Sequence, residues 1–207
     1  METHMTTNER KIFTADPSAI GLLGLAMVTL VASSQKLGWT SGTSLVIPWA
    51  IFLGAIAQLY ACALDARKGN VFGATAFGGY GLFWLGTSMT WMIQHGVFGE
   101  KMAAAADPAQ LGFAFVGYLI FTLYMTIGAV ETNKVLLVIF VLIDFLFAGL
   151  VLTTLFGMHI GSEIAGISEL LIALFSFYAS AANVLNQTFG YIFLPLGRPL
   201  GIFKKAA

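Results

Sequence analysis

Six stretches of this chain are each apolar for close to twenty residues, at roughly 19–35, 44–65, 73–94, 110–130, 134–156 and 164–186. About twenty such residues carry an α-helix across a bilayer. Hydrocarbon offers no partner for a backbone N–H or C=O, so segments that cross it as single helices must pack into a bundle. The pattern predicts an all-α membrane protein, with six transmembrane helices per protomer in a compact bundle. Residues 1–207 form a single domain, with tails at 1–18 and 187–207. Composition agrees: 58% of the residues are hydrophobic and 10% are charged, where soluble domains carry about 25% charged residues.

The few charges then set the orientation. Arg10, Lys11, Arg67, Lys68, Lys134, Arg198, Lys204 and Lys205 fall on one side of the predicted bundle, and Lys36 and Lys101 on the other. Basic residues accumulate on the cytoplasmic side, so both tails are expected in the cytoplasm of a cell whose inner membrane the bundle spans. The first run reads as a span and not as a cleaved leader, because five more runs follow and no clear small-residue cleavage site appears. The single cysteine, Cys62, lies within the second run and reads as a packing residue. A formal net charge of zero gives no sign of a nucleic-acid partner.

No Gly-rich phosphate loop or HExxH zinc pair is present, and no Ser-His-Asp set is visible. His4, His95 and His159 lie in the tail or near helix ends. These absences argue against an enzyme, a resident metal or a cofactor. In a bilayer the polar residues carry the information, since each must face protein or water. Tyr80, Thr87 and Gln94 recur at seven-residue intervals in the third run, as do Glu169, Ser176 and Asn183 in the sixth. Seven residues is nearly two turns, so each set lies on one face. Such residues often serve as interhelical glue; two full-length stripes together favour a permeation path. Gln58 is expected to point into the protomer, because an amide left in hydrocarbon costs several kcal/mol. Asp144 stands mid-helix in the fifth run, either as an interhelical contact or as a proton relay.

Several motifs resemble the acetate uptake transporter family, which includes the bacterial succinate–acetate permeases. Asp16-Pro17-Ser18-Ala19-Ile20-Gly21-Leu22 is an altered form of the family's Asn-Pro-Ala-Pro-Leu-Gly-Leu opening. Ala57-Gln58 through Asp65, Lys68-Gly69-Asn70, Phe72-Gly73, Thr75-Ala76-Phe77, Tyr80-Gly81 and Phe83-Trp84-Leu85 are similar to its middle block. Val184-Leu185-Asn186, Phe189-Gly190 and Leu194-Pro195-Leu196-Gly197 are similar to its C-terminal run. The resemblance implies a hexamer with one pore in each protomer and uptake of small monocarboxylates and sometimes succinate. It also implies a constriction of Phe, Tyr and Leu, which here would be Leu25, Tyr80 and Ile143. Gln58 matches the family's second-helix Gln, and Ser176 a position linked to substrate size. Asp16, Pro17 and Gly21 belong to the pore-mouth motif, with Asp16 capping the first helix. The other reading is an ammonium or small-neutral-molecule channel, or a sensor without flux.

A bare carboxylate in low dielectric costs tens of kcal/mol unless compensated, and the runs place no Arg or Lys mid-membrane. Compensation is expected from Gln58, Tyr80, Thr87 and helix-terminal N–H groups, with the Tyr80 hydroxyl touching the carboxylate. The neutral acid avoids that cost but makes up well under about 1% of the total at pH 7.

Overall fold

The computed structural model describes residues 15–203. His4, Arg10, Lys11, Lys204 and Lys205, placed in the tails above, lie outside that range. Six long helices follow one another: α1 (Ser18–Lys36), α2 (Val46–Arg67), α3 (Val71–Gln94), α4 (Pro108–Ala129), α5 (Lys134–Phe156) and α6 (His159–Phe189). A short helix, Glu100–Ala104, sits in the connection between α3 and α4. Five of the six are long and apolar enough to cross a membrane. The exception, α3, has 24 residues, about 36 Å of helix; its glycines, threonines and serine lower its hydropathy without shortening it.

Local chemistry sets the ends. Asp16 Oδ1 accepts the Ser18 N–H at 2.9 Å, just before α1. Asn70 Oδ1 accepts Gly73 N–H at 3.2 Å, Asp107 Oδ1 accepts Ala109 N–H at 2.9 Å, and Asn133 Oδ1 accepts Leu136 N–H at 2.9 Å. Each satisfies an N–H that a helix start leaves without a partner. The α5 and α6 helices stop at Gly157 and Gly190, at φ of 64° and 74°, a left-handed conformation that glycine adopts without a Cβ penalty. Past α6, Asn186 folds the chain back: its Oδ1 accepts the Phe193 and Leu194 N–H groups, and its Nδ2 donates to the Leu194 carbonyl.

The helices alternate in direction. We call the end where α1 begins proximal and the other distal. In space, α1 packs on α6 and α2, α6 on α5, α5 on α4, and α2 on α3. Aromatic rings join α3 to α5, with Phe72–Phe140 centroids at 5.4 Å and Phe83–Phe147 at 5.1 Å. Lipid tails give little net drive for helix association, so close packing has to supply it. Gly24 shows how: a Cβ there would run into the Leu53 carbonyl oxygen of α2. Large apolar side chains cover the outside, among them Phe113, Ile120 and Ile127 of α4 and Phe52 and Ile56 of α2.

One stretch of α2 departs from α-helical geometry. Ala50–Ala57 is wound as a π-helix, a wider winding that recurs at functional sites. It ends immediately before Gln58.

Candidate functional site

A chamber of about 290 Å³ enters the bundle from the proximal end, room enough for several waters. Asp16, Asn70 and Asn133 stand where helices begin or are capped, and Gln58, Tyr80 and Ile143 line the chamber deeper in. On the distal side of Tyr80 lies a second gap of only about 10 Å³, walled by Thr29, Phe83, Trp84, Phe147 and Ile172 among others. That is about the least space a single water needs. Leu25, Tyr80 and Ile143 line both spaces. They form the partition between the open chamber and the closed one.

The lining comes from α1, α2, α3, α5 and α6, with the segments that flank them. The remaining helix, α4, stands behind and holds the partition. Thr122 Oγ1 on α4 donates to the Tyr118 carbonyl at 2.8 Å and lies 3.0 Å from Tyr80 Oη. A threonine hydroxyl has one proton, so Tyr80 must be the donor in that second bond. In this structure the Tyr80 hydroxyl is held against α4 by Thr122. The ring lies against Phe121 and Phe140, with centroids at 5.3 and 6.0 Å.

Gln58 is fully buried, at 0% exposure. Its Nε2 donates to the Gly54 carbonyl at 2.8 Å, within the π-helical stretch, while its Oε1 has no partner among the described residues. Ser176 is also fully buried with an unpartnered hydroxyl, but it lines neither space. Its neighbours on the same face of α6 do: Ile172 on the distal side, Ala179 and Asn183 on the proximal. Thr87 is half-buried and also lines neither space; the buried hydroxyl of that turn is Ser88, which donates to the Trp84 carbonyl at 2.7 Å. Pro17 and Gly21 are buried without lining the chamber, Gly21 lying against the Phe77 ring.

Asp144 faces away from the partition. Its Oδ2 accepts the Thr126 hydroxyl of α4 at 2.7 Å, its Oδ1 has no partner among the described residues, and it lines neither space. Glu169 leaves the polar stripe of α6 for an ion pair with Lys36. Sequence reasoning passed over Asp65, whose carboxylate is 2% exposed and lines the chamber. The signal was a carboxylate inside an apolar run, three residues before the Lys68-Gly69-Asn70 turn.

Six long helices, an apolar exterior and an axial chamber ending at a three-residue partition define a multi-pass membrane protein with an internal path. The chain belongs to the GPR1/FUN34/yaaH family, whose model matches residues 2–198. It is 32% identical over 185 residues to the succinate-acetate/proton symporter SatP of Escherichia coli K12, covering 88% of this chain and 95% of that one. A solved structure of the bacterial acetate channel SatP superposes with a TM-score of 0.83 at 31% identity, covering 89% of this chain and all of the other. The ammonia transport outward protein 2 of Saccharomyces cerevisiae is 24% identical over 181 residues, 86% of this chain and 64% of the relative.

Proposed function

We propose that the protein moves acetate and related small carboxylates across the cytoplasmic membrane, with the proximal chamber as the inner vestibule and Leu25, Tyr80 and Ile143 as its gate. The observation that carries this reading is the sharing of those three residues between an open chamber and a nearly closed one, in a chain 32% identical to a succinate-acetate/proton symporter. Gln58 lies on the path, Ser176 stands at the level of the gate, and Thr87 acts in helix contact outside it. Asp16, with Pro17 and Gly21, shapes the mouth. Asp144 joins α4 to α5 through Thr126 and is not part of the proton path.

A leucine at position 25 and an isoleucine at 143 make an apolar gate that charged species cross slowly. Among the described residues, no lysine, arginine or histidine lines the chamber, so the path offers an anion no fixed countercharge. Low affinity and quick release follow from that. The apolar outer faces of α2 and α4 supply the surface for lipid and for the neighbouring copies of a homo-hexamer. The bias of the basic residues supports placing both tails in the cytoplasm.

One observation favours a second substrate. Asp16, Asp65 and the free Gln58 oxygen are all acceptors on the chamber wall, which suits ammonium. Purified protein in liposomes decides between them. Labelled acetate should enter faster than into protein-free vesicles, and faster still with an inward proton gradient. Uptake of methylammonium with no acetate uptake would overturn the carboxylate reading, and uptake of neither would mark a sensor.

A further inference from the structure

We propose that Asp65 is the proton acceptor of the inner vestibule: a carboxylic acid passing the gate hands its proton to Asp65 Oδ2. The inference rests on the carboxylate reading above and names the group that would separate proton from anion.

Three features point to this carboxylate. Asp65 is buried at 2% exposure, its Oδ1 accepts Asn70 Nδ2 at 3.0 Å, and its Oδ2 has no donor among the described residues. Burying an acceptor without a donor is costly, and the cost disappears when a proton or an O–H group arrives. Second, Gly73 of α3 makes room for this oxygen, since a Cβ there would collide with Asp65 Oδ2. Third, Gln58 Oε1, buried and equally without a donor, lines the same chamber deeper in. Two orphan acceptors along one wall match a solute that brings a donor, which acetic acid does and acetate does not.

The charged groups around Asp65 leave the role open to it. Asp16, beside the start of α1, is the other acidic residue on the chamber wall among the described residues. Lys68, at the end of α2, is turned outward, its Nζ donating to the Ala15 carbonyl at 2.8 Å. The neighbouring loop and α6 contribute neutral Asn133 and Asn183. In the proposed step the O–H bond of the acid breaks, its proton bonds to Asp65 Oδ2, and acetate leaves through the mouth. Water at the mouth then takes the proton, restoring the carboxylate.

The test uses the full chain in liposomes loaded with a pH-sensitive dye. Labelled acetate and luminal acidification are followed together, with protein-free vesicles subtracted. Asp65→Asn is expected to slow acetate uptake driven by an inward proton gradient by at least about tenfold, and uptake without a gradient by much less. No slowing in Asp65→Asn, or equal slowing with and without the gradient, overturns the assignment. Should the unaltered protein move no acetate above empty vesicles, the transport reading fails instead. A second measurement needs no variant: dicyclohexylcarbodiimide modifies buried protonated carboxyls. Peptide mapping should find more label on Asp65 when acetic acid is supplied than without it, since the acid protonates the carboxylate; label at Asp65 indifferent to acetic acid, or absent in its presence, overturns the proposal.

Discussion

Lys36 at the distal end of α1 reaches across to Glu169 of α6, with Nζ 2.8 Å from Oε2, the two side chains 18% and 2% exposed. The pair joins helices 133 positions apart in sequence. Lys36→Met leaves the Glu169 carboxylate buried and unpaired, which costs about 3–5 kcal/mol when one partner of such a pair is removed. Replacing both, as Lys36→Met with Glu169→Leu, should recover most of that loss. Thermal unfolding of the purified protein in detergent checks both. A single variant as stable as the parent would show that the pair contributes nothing.

Gly24 and Gly86 separate close approach from helix propensity. A Cβ at Gly24 meets the Leu53 carbonyl, a backbone atom that cannot turn aside, while a Cβ at Gly86 meets nothing within 4 Å. Gly24→Ala should destabilise the bundle. Gly86→Ala should leave it unchanged or stabilise it by up to about 1 kcal/mol through backbone entropy. Midpoint temperatures moving in the reverse order would contradict this packing of α1 on α2.

Tyr80→Phe removes a donor that points at Thr122 and leaves the ring in the partition. Stability should fall by about 0.5–1.5 kcal/mol, the net worth of one hydrogen bond. Acetate flux should stay close to that of the parent. A steep loss of flux without loss of stability would return the hydroxyl to the substrate.

Leu25→Ala and Ile143→Ala each widen the partition from a different helix. Both should raise the flux of longer carboxylates, such as butyrate, relative to acetate, read by competition in liposomes. An unchanged ratio in both variants would place the narrowest point elsewhere.

Asp144→Asn keeps an acceptor for the Thr126 hydroxyl and removes the ionisable group. Acetate flux should show the same pH dependence as in the parent, measured from pH 5 to 8. A flattened profile would make Asp144 part of the proton path.

The number, order and approximate bounds of the helices could be read from the sequence by itself, because crossing a bilayer depends on the apolar content of a continuous segment. The run at 134–156 coincides with α5, and the others agree to within a few residues at most ends. The last helix is the exception, beginning at His159 rather than 164, since Gly161 and Glu163 lower hydropathy without breaking a helix. The family motifs were equally legible, being contiguous strings. Which side of each helix faces the path was a different matter. These helices are apolar almost all round, so a stripe of polar residues is only a hint of direction. That hint led to Thr87 where the buried hydroxyl is Ser88, and past Asp65 altogether. The hydrogen bond that turns the Tyr80 hydroxyl toward α4, the π-helical turn before Gln58 and the pairing of Lys36 with Glu169 were decided only by tertiary structure. Each depends on a helix distant in sequence or on packing around it, and nothing local to those residues specifies which neighbour will be there.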